Sequence, residues 1–126
     1  MDEVFAATEQ ARSPASAAAA RAPIDFAHLR RYTLNDAVLE KEILELFAAQ
    51  LPETIADLRA AGDPVKWKRA AHTLKGSARA VGAGELAELA ASAEQAAASA
   101  DPAARRAIVE SIDAAAAGVA AYIAAL

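Results

Sequence analysis

A chain of 126 residues that is about a third alanine, with only 5% aromatics, is poor in strand formers and rich in the best helix former, which excludes a sheet protein. The absence of cysteine excludes disulfides, thiolate nucleophiles and cysteine-ligated metal, and two histidines far apart leave any all-protein zinc site dependent on carboxylates. A formal net charge of −4 argues against a nucleic-acid binder. The longest uncharged apolar run, residues 114–126, is shorter than the ~18 residues expected of a membrane helix. The opening Met1-Asp2-Glu3 is acidic where a secretory signal is basic, so the expected location is the cytoplasm.

Residues 1–22 form an alanine-rich leader with Val4 and Phe5 as its only bulky apolar residues, expected to be flexible or partly helical around residues 3–12. Residues 23–126 read as one helical domain. Asp25-Phe26-Ala27-His28-Leu29 opens a short helix with Phe26 and Leu29 on one side. Asn35 and Asp36 are capping candidates for a long helix reaching about Ala61, with Leu39, Ile43, Leu46, Phe47, Leu51, Ile55 and Leu58 spaced by three and four. Pro52 should bend this helix without splitting it, because the spacing continues in phase. Gly62-Asp63-Pro64 marks a boundary: Gly62 to leave one helix in a left-handed conformation, Asp63 to cap the next, Pro64 to fit its first turn.

A third helix runs from Pro64 to about Val81 and ends at Gly82-Ala83-Gly84. The fourth, from Glu85 to about Ser99, aligns Leu86, Leu89, Ala93 and Ala97. Asp101-Pro102 repeats the cap-and-proline signal before a fifth helix, about residues 103–125, which aligns Ile108, Ile112, Ala115, Val119 and Ile123. The expected fold is all-α: an antiparallel up-down four-helix bundle with a short extra N-terminal helix.

The third helix carries the chemistry. At about 100° per residue, Trp67, Ala70, Leu74, Ala78 and Val81 share the expected core face, and His72 projects nearly opposite to it. Offsets of three, four and seven place Lys68, Arg69, Lys75, Gly76 and Arg79 beside the imidazole. An exposed helical histidine is ordinarily a surface residue, and a basic cluster is ordinarily a solvated face. Here four like charges stand together with no acid on the helix, each such pair costing roughly 0.2–0.5 kcal/mol, so an anion is expected to join them.

Gly76 costs about 1 kcal/mol relative to alanine inside a helix, in a chain that uses alanine almost everywhere. On a solvent face, the missing side chain reads as clearance above the imidazole. Ser77 turns towards the core edge, where its hydroxyl can bond back to the Thr73 carbonyl, a structural role. His28 has no lysine-glycine pair at helical offsets and reads as a surface or packing residue.

The run His72-Thr73-Leu74-Lys75-Gly76-Ser77-Ala78-Arg79-Ala80-Val81-Gly82-Ala83 resembles the signature of histidine phosphotransfer (HPt) domains, the relay modules of bacterial-type two-component signalling. The resemblance extends from about Asp25 to the C-terminus and leaves the leader outside; Ala78 stands where many members carry a second serine. It implies that His72 accepts phosphoryl from an aspartyl phosphate on a response-regulator receiver domain and passes it to another receiver, including receivers of hybrid histidine kinases. It implies that Lys75 stabilises the transferring group and that Gly76 leaves room for the receiver. Lys68, Arg69 and Arg79 would steer that acidic partner, with Ser77 and Gly82 structural near the site.

The resemblance further implies a phosphorelay intermediate with no ATP site, hence no enzyme in its own right. No cofactor of its own is expected, and the Mg2+ belongs to the receiver. A monomer that binds neither nucleic acid nor membrane completes the expectation. Three readings compete. The dimerisation hairpin of a histidine kinase usually has an acid directly after its histidine, where this chain has Thr73. An alanine-rich scaffold would use the basic face without chemistry. A segment of a larger hybrid or chemotaxis kinase fits less well with an opening Met1 and its leader.

Overall fold

The computed structural model describes residues 22–97 and 101–126. Apart from Ala22, the expected leader lies outside the described residues; the fourth helix, expected to reach about Ser99, already ends at Gln95, and Ser99 itself lies outside the described residues. The described residues form α1 (Phe26–Thr33), α2 (Ala37–Ala60), α3 (Pro64–Val81), α4 (Gly84–Gln95) and α5 (Pro102–Ala124). Pro52 lies inside α2, which continues through it as a single helix.

Four helices start on an aspartate whose carboxylate accepts first-turn amides, each such cap worth about 1 kcal/mol. Asp25 accepts from His28 N, Asp36 from Val38 N and Leu39 N, Asp63 from Lys66 N and Asp101 from Ala104 N. Asn35 is therefore not the cap of α2; with Leu34 it makes the left-handed turn after α1, at φ 65° and 53°. The left-handed exit expected at Gly62 is absent as well. α2 ends on Ala61 in extended backbone, whose N–H bonds Leu58 O, and Gly62 needs no positive φ.

Gly82 does need one. At φ 81° it closes α3, and Ala83 N donates to Ala78 O at 2.8 Å, the paired bonds of a left-handed helix end. Asp25 N donates to Gly82 O at 2.8 Å, tying the start of α1 to the end of α3.

α2, α3, α4 and α5 form a closed ring in which each packs on two neighbours, and α1 lies against α2 and α3. Trp67, near the start of α3, donates its indole N–H to Ala93 O, near the end of α4, at 2.7 Å, as an antiparallel pair requires. The bundle core takes heptad-like spacing: Trp67, Ala71, Leu74, Ala78 and Val81 from α3, and Val109, Ile112, Ala116, Val119 and Ile123 from α5.

Several expected core positions move by one residue. Ala71 is fully buried in place of Ala70, and Val109 and Ala116 in place of Ile108 and Ala115, which are partly buried beside them. α4 buries Leu86, Ala87, Ala90 and Ala93, with Leu89 at the edge. The largest correction is on α2. Its buried row is Glu40, Leu44, Phe47, Leu51, Ile55 and Leu58, whereas Leu39 and Leu46 are exposed and Ile43 only partly covered. Glu40 interrupts that row on paper; in the fold Arg30 of α1 neutralises it, Nε to Oε2 at 3.1 Å.

By length and composition alone, α5 is apolar and long enough to cross a membrane. Its apolarity comes largely from alanine, and one stripe of it is buried in the bundle.

Candidate functional site

α3 presents its outer face between α2 and α4. Trp67 and Leu74 are each 1% exposed, which holds the helix by its opposite side and turns His72 outward, its side chain 68% exposed. The imidazole does not stand alone. Glu94 of α4 reaches across so that its Oε2 lies 2.9 Å from His72 Nδ1, while its Oε1 accepts from Lys75 Nζ at 2.5 Å. Lys75 and Glu94 are only 18% and 15% exposed, so this pair is packed against the bundle beneath a ring that projects from it.

The same chain thus supplies a carboxylate to one of the α3 cations, Lys75. Lys75 is the first cause of a lowered Glu94 pKa, its ammonium donating directly to the carboxylate; partial desolvation pushes the other way, and His72 adds a smaller lowering. The carboxylate stays ionised below its ordinary value of 4.5.

The other expected site residues divide. The α3–α4 groove that contains Glu94 also contains Lys68. Arg69 lines a separate groove against α2, with Thr54 and Asp57. Arg79 lines a depression by Asp25, His28 and Gly84 at the far end of α3. The four cations expected around His72 are therefore divided: Lys75 shares Glu94 with the imidazole and Lys68 lines the same groove, whereas Arg69 and Arg79 line other depressions.

Gly76 is exposed, and a Cβ built on it meets nothing within 4 Å. Close packing therefore does not explain this glycine. Ser77 is partly buried, and the expected bond to the Thr73 carbonyl is not made. Gly82 is structural but not near the imidazole, since ten residues of helix separate them by about 15 Å. His28 stacks edge-on with Tyr32 at 5.4 Å between ring centroids, a packing role.

Glu94 is the site residue that periodicity within α3 could not supply. Its one signal in the sequence is its offset of four from Ala90 and three from Ala97, which puts it on the shoulder of the buried α4 stripe. No group of three His, Asp or Glu that could hold a metal occurs among the described residues.

Fold and site together describe a helical bundle that presents one imidazole to solvent, with a carboxylate from the next helix against its Nδ1. The Hpt domain family matches residues 42–122, a stretch that holds His72, Lys75 and Glu94, and the chain belongs to that family. Hpt domains are histidine phosphotransfer intermediates of two-component phosphorelays and work with response-regulator receiver domains. Comparison with curated proteins and with solved structures gives no match.

Proposed function

We propose that this chain relays phosphoryl groups between receiver-domain aspartates through a phosphohistidine on Nε2 of His72. The observation that carries the reading is the Nδ1–Glu94 contact on a ring otherwise open to solvent. An ionised carboxylate only accepts hydrogen bonds, so a neutral imidazole facing it keeps its proton on Nδ1. The lone pair is then on Nε2, the nitrogen left free for attack on phosphorus.

Lys75 holds three donors; Glu94 takes one, and the others can meet the incoming phosphoryl oxygens. Gly76 leaves the approach open one turn along. Phosphoryl transfer asks mainly for positioning and charge stabilisation, which this rigid helix offers without a nucleotide site. The receiver supplies the aspartate and the Mg2+. A kinase dimerisation hairpin takes two chains to complete a bundle, whereas here one chain closes the ring by itself, which supports a monomeric relay.

The test is labelling by a radioactively phosphorylated receiver domain. His72→Gln should keep the circular dichroism spectrum and lose all transfer; labelling at the wild-type rate would overturn the assignment.

A further inference from the structure

We infer that Glu94 has a second task once His72 is phosphorylated: it keeps the phosphohistidine ring protonated on Nδ1, the form from which phosphoryl departs to the next carboxylate. The inference rests on the phosphohistidine reading of His72 and adds a positioning residue to it.

When the Nε2 lone pair attacks an aspartyl phosphate, an N–P bond forms and the P–O bond breaks, its electron pair leaving with the aspartate carboxylate. No proton moves in this step. The ring therefore becomes a cation, still carrying the hydrogen on Nδ1, and the group facing that hydrogen is Glu94 Oε2 at 2.9 Å. In the outward step an aspartate oxygen of the next receiver attacks phosphorus, and the N–P electron pair returns to Nε2. A ring that kept its Nδ1 proton leaves as neutral imidazole, in the tautomer it began with. A ring that lost the proton in between would have to leave as an anion, or wait for a proton to be delivered.

The surroundings decide which of these occurs. Lys75 on α3 and Lys68, in the groove shared with Glu94, are positive and favour loss of the proton. Across α3, Arg69 and Asp57 of α2 face one another's groove, and Arg79 lies towards the far end. Glu94 is the acid in contact with the ring. Its two oxygens are divided, one to Lys75 and one to His72, and its 15% exposure leaves it little freedom to swing away. Lys75, donating directly to the carboxylate, holds its pKa below the ordinary value and so favours Glu94 as an ionised acceptor.

The experiment loads the full chain with phosphoramidate and follows loss of phosphohistidine by 31P NMR as a function of pH, with ring 15N shifts reporting the Nδ1 proton. Signals of His72 are assigned by their absence in His72→Gln. Glu94→Gln preserves shape and one acceptor but removes the charge. Its pH profile should move about one unit to the acid side, so that loss at pH 8 is roughly tenfold slower than in wild type, and its Nδ1 should be found unprotonated there.

Superimposable profiles from two folded proteins would overturn the inference, because a merely structural Glu94 would not move them. Failure of any phosphorylated receiver to label His72, with phosphoramidate loading intact, would instead remove the relay reading while leaving the proton chemistry of the ring measurable.

Discussion

On the proposed reading, Gly76 acts through the side chain it lacks. With open space where its Cβ would stand, Gly76→Ala should raise stability by about 0.5–1 kcal/mol, read from urea midpoints. Gly76→Gln should fold equally well and slow labelling by a phosphorylated receiver roughly ten- to hundredfold, since it occupies the approach to Nε2. Glu94 makes stability depend on pH. Its carboxyl binds a proton less readily when folded, held down first by Lys75, so the pair's stabilisation is complete above the unfolded value of 4.5 and fades as pH falls through the lower folded value. Melting temperatures of wild type and Glu94→Gln should differ at neutral pH and converge in acid; a constant gap would contradict it. His72, Lys75 and Gly76 were legible because they share one helix, where a fixed angle per residue relates them. Glu94 lies 22 residues beyond His72 on another helix, and only the packing of α4 on α3 selects it from the three acids there.

Elements were legible at their ends and ambiguous on their faces. Aspartate caps and first-turn prolines act through bonds a few atoms away, so Asp63-Pro64 and Asp101-Pro102 mark α3 and α5 without any tertiary information. Faces depend on neighbours. Two apolar rows run along the first half of α2, one through Leu39, Ile43 and Leu46 and one through Leu44 and Phe47, and the charge of Glu40 disguises the second. Only Arg30, on a separate helix, makes that row buriable. Where alanine stands at adjacent positions, as at Ala70 and Ala71, no hydropathy difference exists to choose between them. The end of α3 is more demanding. A Cβ on Gly82 would sit 2.7 Å from Asp25 O, in a backbone already left-handed. Gly82→Ala should cost at least about 1–2 kcal/mol in chemical denaturation while leaving the labelling rate per folded molecule unchanged.

Across the whole molecule, charge is sorted by helix. α3 carries five cations and no acid, whereas α2 carries five acids against two cations and α4 three acids against none, so a chain of net −4 concentrates positive charge on the helix that bears His72. On the proposed reading this charge would steer an acidic receiver, an effect screened within about 8 Å at physiological ionic strength. The second-order rate of transfer from a receiver should therefore fall several-fold between low and high salt. The first-order rate inside a preformed complex should change little, a split that rapid-quench measurements can resolve.

The indole bond between Trp67 and Ala93 has a use beyond holding two helices together. Ala93 directly precedes Glu94, so the same contact that registers α4 against α3 also sets the height at which the carboxylate meets the imidazole. Trp67 is the chain's single tryptophan. Its emission is thus a built-in optical gauge of that alignment, readable without a dye.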